Sequence, residues 1–163
     1  MNHTQSNSKA YATVRGLGTV IVANVKGPGV TSRNDTGIWW TKGTDAPQLV
    51  AREGAYAPGA GGRFKAFTSL ALPGGVDGAP VFVASVDTAS NGVGLWGVDS
   101  TGWTALLLTE GQRIGGKTVR SFTVLSVVKK SPAQTRSVNS SSQIVARVTF
   151  TDHSQKIVII EVP

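Results

Sequence analysis

The chain repeats itself, and that constrains its fold more than any single motif. The run Val20-Ile21-Val22-Ala23-Asn24-Val25 returns as Val81-Phe82-Val83-Ala84-Ser85-Val86, and again as Ile144-Val145-Ala146-Arg147-Val148. The shared Val-Ala-x-Val begins at residues 22, 83 and 145, in steps of 61 and 62. Gly37-Ile38-Trp39 is matched by Gly94-Leu95-Trp96, and Leu49 to Gly54 by Leu106 to Gly111, both 57 residues on. Phe67-Thr68-Ser69-Leu70 is matched by Phe122-Thr123-Val124-Leu125 at a step of 55. The order is kept each time. A fixed period of this size marks an architecture in which each unit buries its apolar face against the next.

Within a unit the matched segments are short, rich in Val, Ile, Leu and aromatics, and bounded by Gly, Pro, Asn, Asp and Ser, which reads as strands. Four strands per unit are designated a (Val20–Val25), b (from Gly37), c (within Leu49–Gly54) and d (from Phe67). Tyr11–Val14 reads as a leading d strand and Ile157–Ile160 as a closing b strand, reached through the turn Thr151-Asp152-His153-Ser154. The expectation is an all-β chain of about eleven short antiparallel strands in two and a half four-stranded repeats. It is propeller-like, with a β-sandwich as the alternative. The repeats run over about 19–72, 80–127 and 143–163, within one domain from residue 10 to 163 that follows a disordered tail, 1–9. No amphipathic helix is evident, although Gly111 to Gly116 has room for one helical turn. Two and a half blades do not close a ring, and open sheet edges favour self-association, so a homo-oligomer is the expected partnership.

Composition narrows the function classes. Charged residues make up 15 % of the chain and hydrophobic ones 40 %, which is enough for a core. There is no cysteine, which removes disulfides, thiolate metal sites and cysteine nucleophiles. No window of 18 apolar residues offers a membrane span. Met1 to Lys9 is polar and lacks the apolar core of a signal peptide. The net charge is +7, and its placement is uneven. Arg113, Lys117, Arg120, Lys129, Lys130, Arg136 and Arg147 lie between Gly111 and Thr151 with no acidic residue among them, so the remaining segments sum to zero. Such a stretch can draw an anionic polysaccharide or another polyanion. The competing and simpler reading is a solvated surface that aids solubility. The absence of interleaved aromatics argues against nucleic acid.

The segments Asp35-Thr36-Gly37-Ile38-Trp39, Leu49-Val50-Ala51-Arg52-Glu53-Gly54, Ala57-Pro58-Gly59 and Gly61-Gly62-Arg63-Phe64 resemble a repeat of large bacterial secreted or surface proteins. That repeat has the form DTGIW…LVAREGDPAPG…GG-F. The stretch from Leu108 through Leu125, then Ser131–Ser137 and Val148–Gln155, is similar to the terminal version of the same repeat. The likeness spans roughly Thr19 to Pro163. It implies a repetitive, propeller-like β architecture outside the cytoplasm, corresponding to the C-terminal part of such a protein, and implies no known activity. The sequence departs from the pattern at Ala55-Tyr56, where the family has Asp-Pro, and at Gln112-Arg113, where an acidic residue is common. The family's Asn-Asp-Ala-Gly turn before strand a is also replaced, so cation binding by those turns is not expected.

Catalytic chemistry finds little support. Glu53 and Glu110 occupy equivalent places, each before a glycine, and a group that recurs with the repeat suits a structural role accepting backbone hydrogen bonds. His3 lies in the tail. His153, between Asp152 and Ser154, suits a polar hairpin turn better than a triad, since adjacent residues rarely orient one another that way. The glycine pairs lack the sequence of a phosphate loop. No catalytic residue, metal site or cofactor is expected. Trp39 and Trp96 recur and read as packing residues. Trp40 and Trp103 do not recur, and Trp40 points opposite to Trp39 in an alternating strand. A solvent-facing Trp can stack on a sugar ring or anchor a partner; an inter-sheet contact is the competing role. The candidate ligand-binding residues are therefore Trp40, Trp103, Arg113, Lys117, Arg120, Lys129, Lys130 and Arg136. They would serve either a lectin-like or polyanion-binding module, or a non-enzymatic structural module that associates with itself.

Overall fold

The computed structural model describes residues 9–14, 18–42, 45–71, 79–88, 92–99, 101–125, 139 and 141–163, with side chains from residue 19 onward. Among these residues the chain is all-β, without a helix. Its strands are β1 (Lys9–Val14), β2 (Gly18–Asn24), β3 (Thr36–Thr41), β4 (Gln48–Arg52), β5 (Tyr56–Ala57), β6 (Gly62–Ala71) and β7 (Val81–Val86). They continue as β8 (Val93–Val98), β9 (Thr104–Thr109), β10 (Arg113–Ile114), β11 (Lys117–Thr123), β12 (Gln143–Phe150) and β13 (Gln155–Glu161). Thirteen strands stand where eleven are expected from sequence. The two extra, β5 and β10, are two-residue strands in the Gly-rich stretches between c and d. Gly115 and Gly116 both adopt positive φ, 58° and 83°, which only glycine takes without strain in a two-residue hairpin turn. The expected helical turn at 111–116 is instead this β10–β11 hairpin.

The strands form three antiparallel meanders: β1-β2-β3-β4, then β5-β6-β7-β8-β9, then β10-β11-β12-β13. The sheet boundaries fall between strands c and d of the sequence unit, so each d strand opens the following sheet rather than closing its own. The reason lies in the connection after Glu53 and Glu110. Gly54 N donates to Phe64 O and Gly111 N to Val119 O, both at 2.8 Å. These bonds turn the chain onto the d strand ahead, with β5 and β10 folded back on it. Among the described residues the third sheet has strands corresponding to d, a and b.

Alternation along the strands distributes the side chains into two cores. One core joins the first and second sheets: Val20, Ile38, Trp40 and Ala51 pack with Phe64, Phe82, Ala84, Val86, Trp96 and Val98. The other joins the second and third: Val81, Val83, Leu95 and Leu108 pack with Val119, Ile144, Ala146, Val148 and Phe150. The second sheet is covered on both faces, which explains why Val81-Phe82-Val83-Ala84 is apolar without interruption and buried throughout. In β12, by contrast, Ile144 and Ala146 are buried while Val145 and Arg147 are exposed.

The cross-strand pairs repeat with the fold. On one face lie Ile21–Trp39, Phe82–Trp96 and Ile144–Ile160. On the other lie Val22–Ile38, Val83–Leu95 and Val145–Ile159. The first and second sheets also share a bulge. Register slips between Ile38 and Trp39 against β4, and between Leu95 and Trp96 against β9. Those slips set Leu49 opposite Trp39 and Leu106 opposite Trp96.

Trp96 shows what makes the inter-sheet contact specific. Its indole is fully buried, stacks on Phe82 at 5.9 Å and 13°, and meets Phe64 edge-on at 5.1 Å. Its Nε1 donates to Pro58 O at 3.0 Å. Burial of one such side chain is worth about 3 kcal/mol, with each aromatic pair adding about 1.

Candidate interaction surfaces

Equivalent residues in different sheets meet different surroundings, so position in the stack decides which faces and side chains are accessible. The face of the first sheet that points away from the second carries Ile21 and Trp39, both half-buried, and Leu49, 53 % exposed. Its counterparts in the second sheet are Phe82 and Trp96, both fully buried, and Leu106, packed against the same core. The outer face of the third sheet carries Val145, Ile157 and Ile159, exposed by 53, 61 and 66 %. Its apolar pair Val145–Ile159 matches Val22–Ile38 and Val83–Leu95, which pack within the two cores. Neither face is among the candidate binding residues expected from sequence. The signal available was Ile157-Val158-Ile159-Ile160, which stays apolar on both faces of a terminal strand.

Of the two tryptophans chosen from sequence, the structure separates one from the other. Trp40 does point opposite to Trp39, but the face it occupies is the one covered by the second sheet. It is 4 % exposed and belongs to the first core, so its ring offers no face for a sugar, and the solvent-facing role is corrected to an inter-sheet contact. Its Nε1 is buried without a hydrogen-bond partner among the described residues. Trp40 also borders a cavity of about 130 Å³ lined by Lys42, Asp45, Ala46, Gln48, Thr101 and Gly102. Trp103, next to Gly102, is 76 % exposed. Its backbone N–H is held by Asp99 Oδ1 at 3.0 Å, an oxygen that also accepts from Thr101 N and Oγ1. The Thr101 hydroxyl first, and the Trp103 backbone N–H next, hold the Asp99 carboxyl below its ordinary pKa.

The basic stretch is partly neutralised by its own fold. Lys117 Nζ lies 2.7 Å from Asp152 Oδ2 and donates to Ser154 Oγ at 2.8 Å. The Lys117 ammonium, with the Ser154 hydroxyl and N–H behind it, pushes the Asp152 carboxyl well below the usual carboxylate range. Arg120 Nη1 donates to His153 Nδ1 at 3.0 Å, and Arg113 Nη2 to Gly116 O at 2.9 Å. Arg113, Lys117, Arg120 and Arg147 are all exposed. Lys129, Lys130 and Arg136 lie outside the described residues.

Asp152 accepts from Ser154 N at 3.0 Å and Oγ at 2.6 Å, and His153 sits at positive φ, 65°. This is a polar hairpin turn, with Asp152 serving the turn rather than the imidazole. Glu110 has the structural role read from its recurrence, and its partner is the neighbouring strand. Its Oε2 accepts from Val93 N at 3.1 Å. The backbone N–H of Glu53 and of Glu110 donates to Thr36 O and Val93 O in the same way. Among the described residues no three His, Cys, Asp or Glu side chains converge on a metal-sized site, and no helix is long and apolar enough to cross a membrane.

Stacked antiparallel meanders define an all-β protein of the propeller-like or sandwich kind. Residues 12–163 match DUF7453, a family of unknown function, and the chain belongs to that family. No curated protein and no solved structure matches it.

Proposed function

We propose that the chain is a non-enzymatic interaction module that associates with itself through the end faces of its sheet stack. The observation that carries this reading is the exposed Val145, Ile157 and Ile159 on one end sheet. Three large aliphatic side chains side by side on a sheet face form a patch that a soluble chain normally covers. The likeness to terminal repeats of bacterial surface proteins supports the same reading, since such repeats stack on neighbours. Light scattering of the full chain across a hundredfold concentration range tests it. A mass of two or more chains, falling on dilution, is expected; a single-chain mass throughout refutes it.

A lectin-like role is the second reading, and the exposed indole of Trp103 is what favours it. Aromatic rings stack on the apolar faces of sugars. On a glycan array at tens of micromolar, binding that Trp103→Ala abolishes would support this role. No binding by the parent chain would sink it.

A further inference from the structure

The repeated cross-strand pairs specify how one copy meets another. In each internal contact a cross-strand pair of one sheet and a cross-strand pair of the next belong to one core. Val22–Ile38 of the first sheet packs with Phe82–Trp96 of the second. Val83–Leu95 of the second packs with Ile144–Ile160 of the third. One aliphatic pair and one larger pair then remain without a described partner: Val145–Ile159 on the third sheet and Ile21–Trp39 on the first.

We infer that these two faces bind each other in different copies of the chain. The third sheet of one molecule seats Val145, Ile157 and Ile159 against Ile21, Trp39 and Leu49 on the first sheet of the next. This assignment rests on the self-association reading and adds its geometry: the contact is head-to-tail, between unlike faces, and continues the internal stacking.

The occupant is a second copy because the two faces are complementary in the sense already used twice inside the molecule. The first-sheet face carries, at matched positions, large apolar residues like those with which the second sheet covers the first: Ile21 for Phe82, Trp39 for Trp96 and Leu49 for Leu106. Gly37 lies under the Trp39 ring as Gly94 lies under the Trp96 ring, so the indole lies along its own strand and presents a flat surface. A contact between unlike faces either closes a ring or propagates. Two copies supply six sheets, within the range of about four to eight that rings of this kind contain.

Mixing two blocked variants tests the geometry. Leu49→Lys blocks the first-sheet face, and Ile159→Lys blocks the third-sheet face. Both positions are more than half exposed in the single chain, so the fold is retained, which circular dichroism and the thermal midpoint check. Ile157→Lys, also exposed, is the alternative on the same face. Each variant alone should associate about tenfold or more weakly than the parent. An equal mixture, one partner tagged, should recover a tagged–untagged pair of two chains, because each supplies the face the other lacks.

If Ile159→Lys alone associates like the parent, the contact joins two first sheets. If Leu49→Lys alone does so, it joins two third sheets. Either result, or a mixture that fails to pair, overturns the head-to-tail assignment while leaving self-association standing. A parent chain that is single at all concentrations overturns both.

Discussion

Gly94 and Gly37 allow the packing logic to be tested inside a single chain. A Cβ at Gly94 would sit 2.7 Å from Trp96 Cζ3 and 3.0 Å from Leu106 Cδ1. The Trp96 indole is fully buried, with Phe64 and Phe82 against it and its Nε1 bonded to Pro58 O. It has nowhere to go without breaking that bond. Gly94→Ala therefore incurs an overpacking cost of about 1–3 kcal/mol, and about 1–3 kcal/mol more if the indole N–H is left buried and unbonded. A net loss of about 3 kcal/mol is expected.

Gly37→Ala makes the same local clash, with Trp39 Cζ3 at 2.8 Å, but Trp39 is only half-buried and its ring can swing outward. Replacing a strand glycine by alanine favours the strand by about 0.5 kcal/mol at either position, so at Gly37, where the clash is relieved, the net change should stay under about 1 kcal/mol. Urea unfolding at a concentration low enough to keep chains apart measures both. Losses equal within about 0.5 kcal/mol would refute the reasoning, because it makes the burial of the indole, and not the local Gly-x-Trp geometry, responsible for the difference.

Two further tests address groups whose role is structural. Glu110→Ala removes the acceptor for Val93 N and should cost about 1–2 kcal/mol in urea unfolding, with Glu110→Gln, which keeps a side-chain oxygen, costing less than half of that. For Asp152, the folded chain holds the carboxyl below its unfolded value through Lys117 and Ser154. Its contribution is therefore present above an unfolded pKa of about 3.9 and is lost as the pH falls through the lower folded value. The thermal midpoints of the parent and Asp152→Asn should differ by a constant amount from pH 5 to 8. They should then converge as the solution is made more acid than about pH 4.

Much of this was legible in the chain itself. The eleven principal strands, the structural role of recurring Trp96 and Glu110, and the polar turn at Asp152-His153 all follow from residue types and their spacing, because each depends on neighbours close in sequence or on a pattern that recurs. The sheet boundaries did not. Whether strand d joins the strands before it or after it depends on backbone bonds such as Gly54 N to Phe64 O, which no local propensity encodes. The choice between the two roles of Trp40 is open in the sequence for a related reason. Alternation correctly placed it opposite Trp39, but alternation says only that two residues face apart, not which face a neighbouring sheet will cover.

The sequence by itself thus determined an all-β chain, its strand segments and the equivalence of residues one repeat apart, since these arise from the two-residue period of strands and the longer period of the units. The tertiary structure alone decided which of the equivalent residues are buried. Phe82 and Trp96 lie inside because their sheet has a neighbour on both sides, whereas Ile21, Trp39, Val145 and Ile159 lie at the ends of the stack. Burial depends on what stands across from a face, and that is a property of the assembled sheets rather than of any strand.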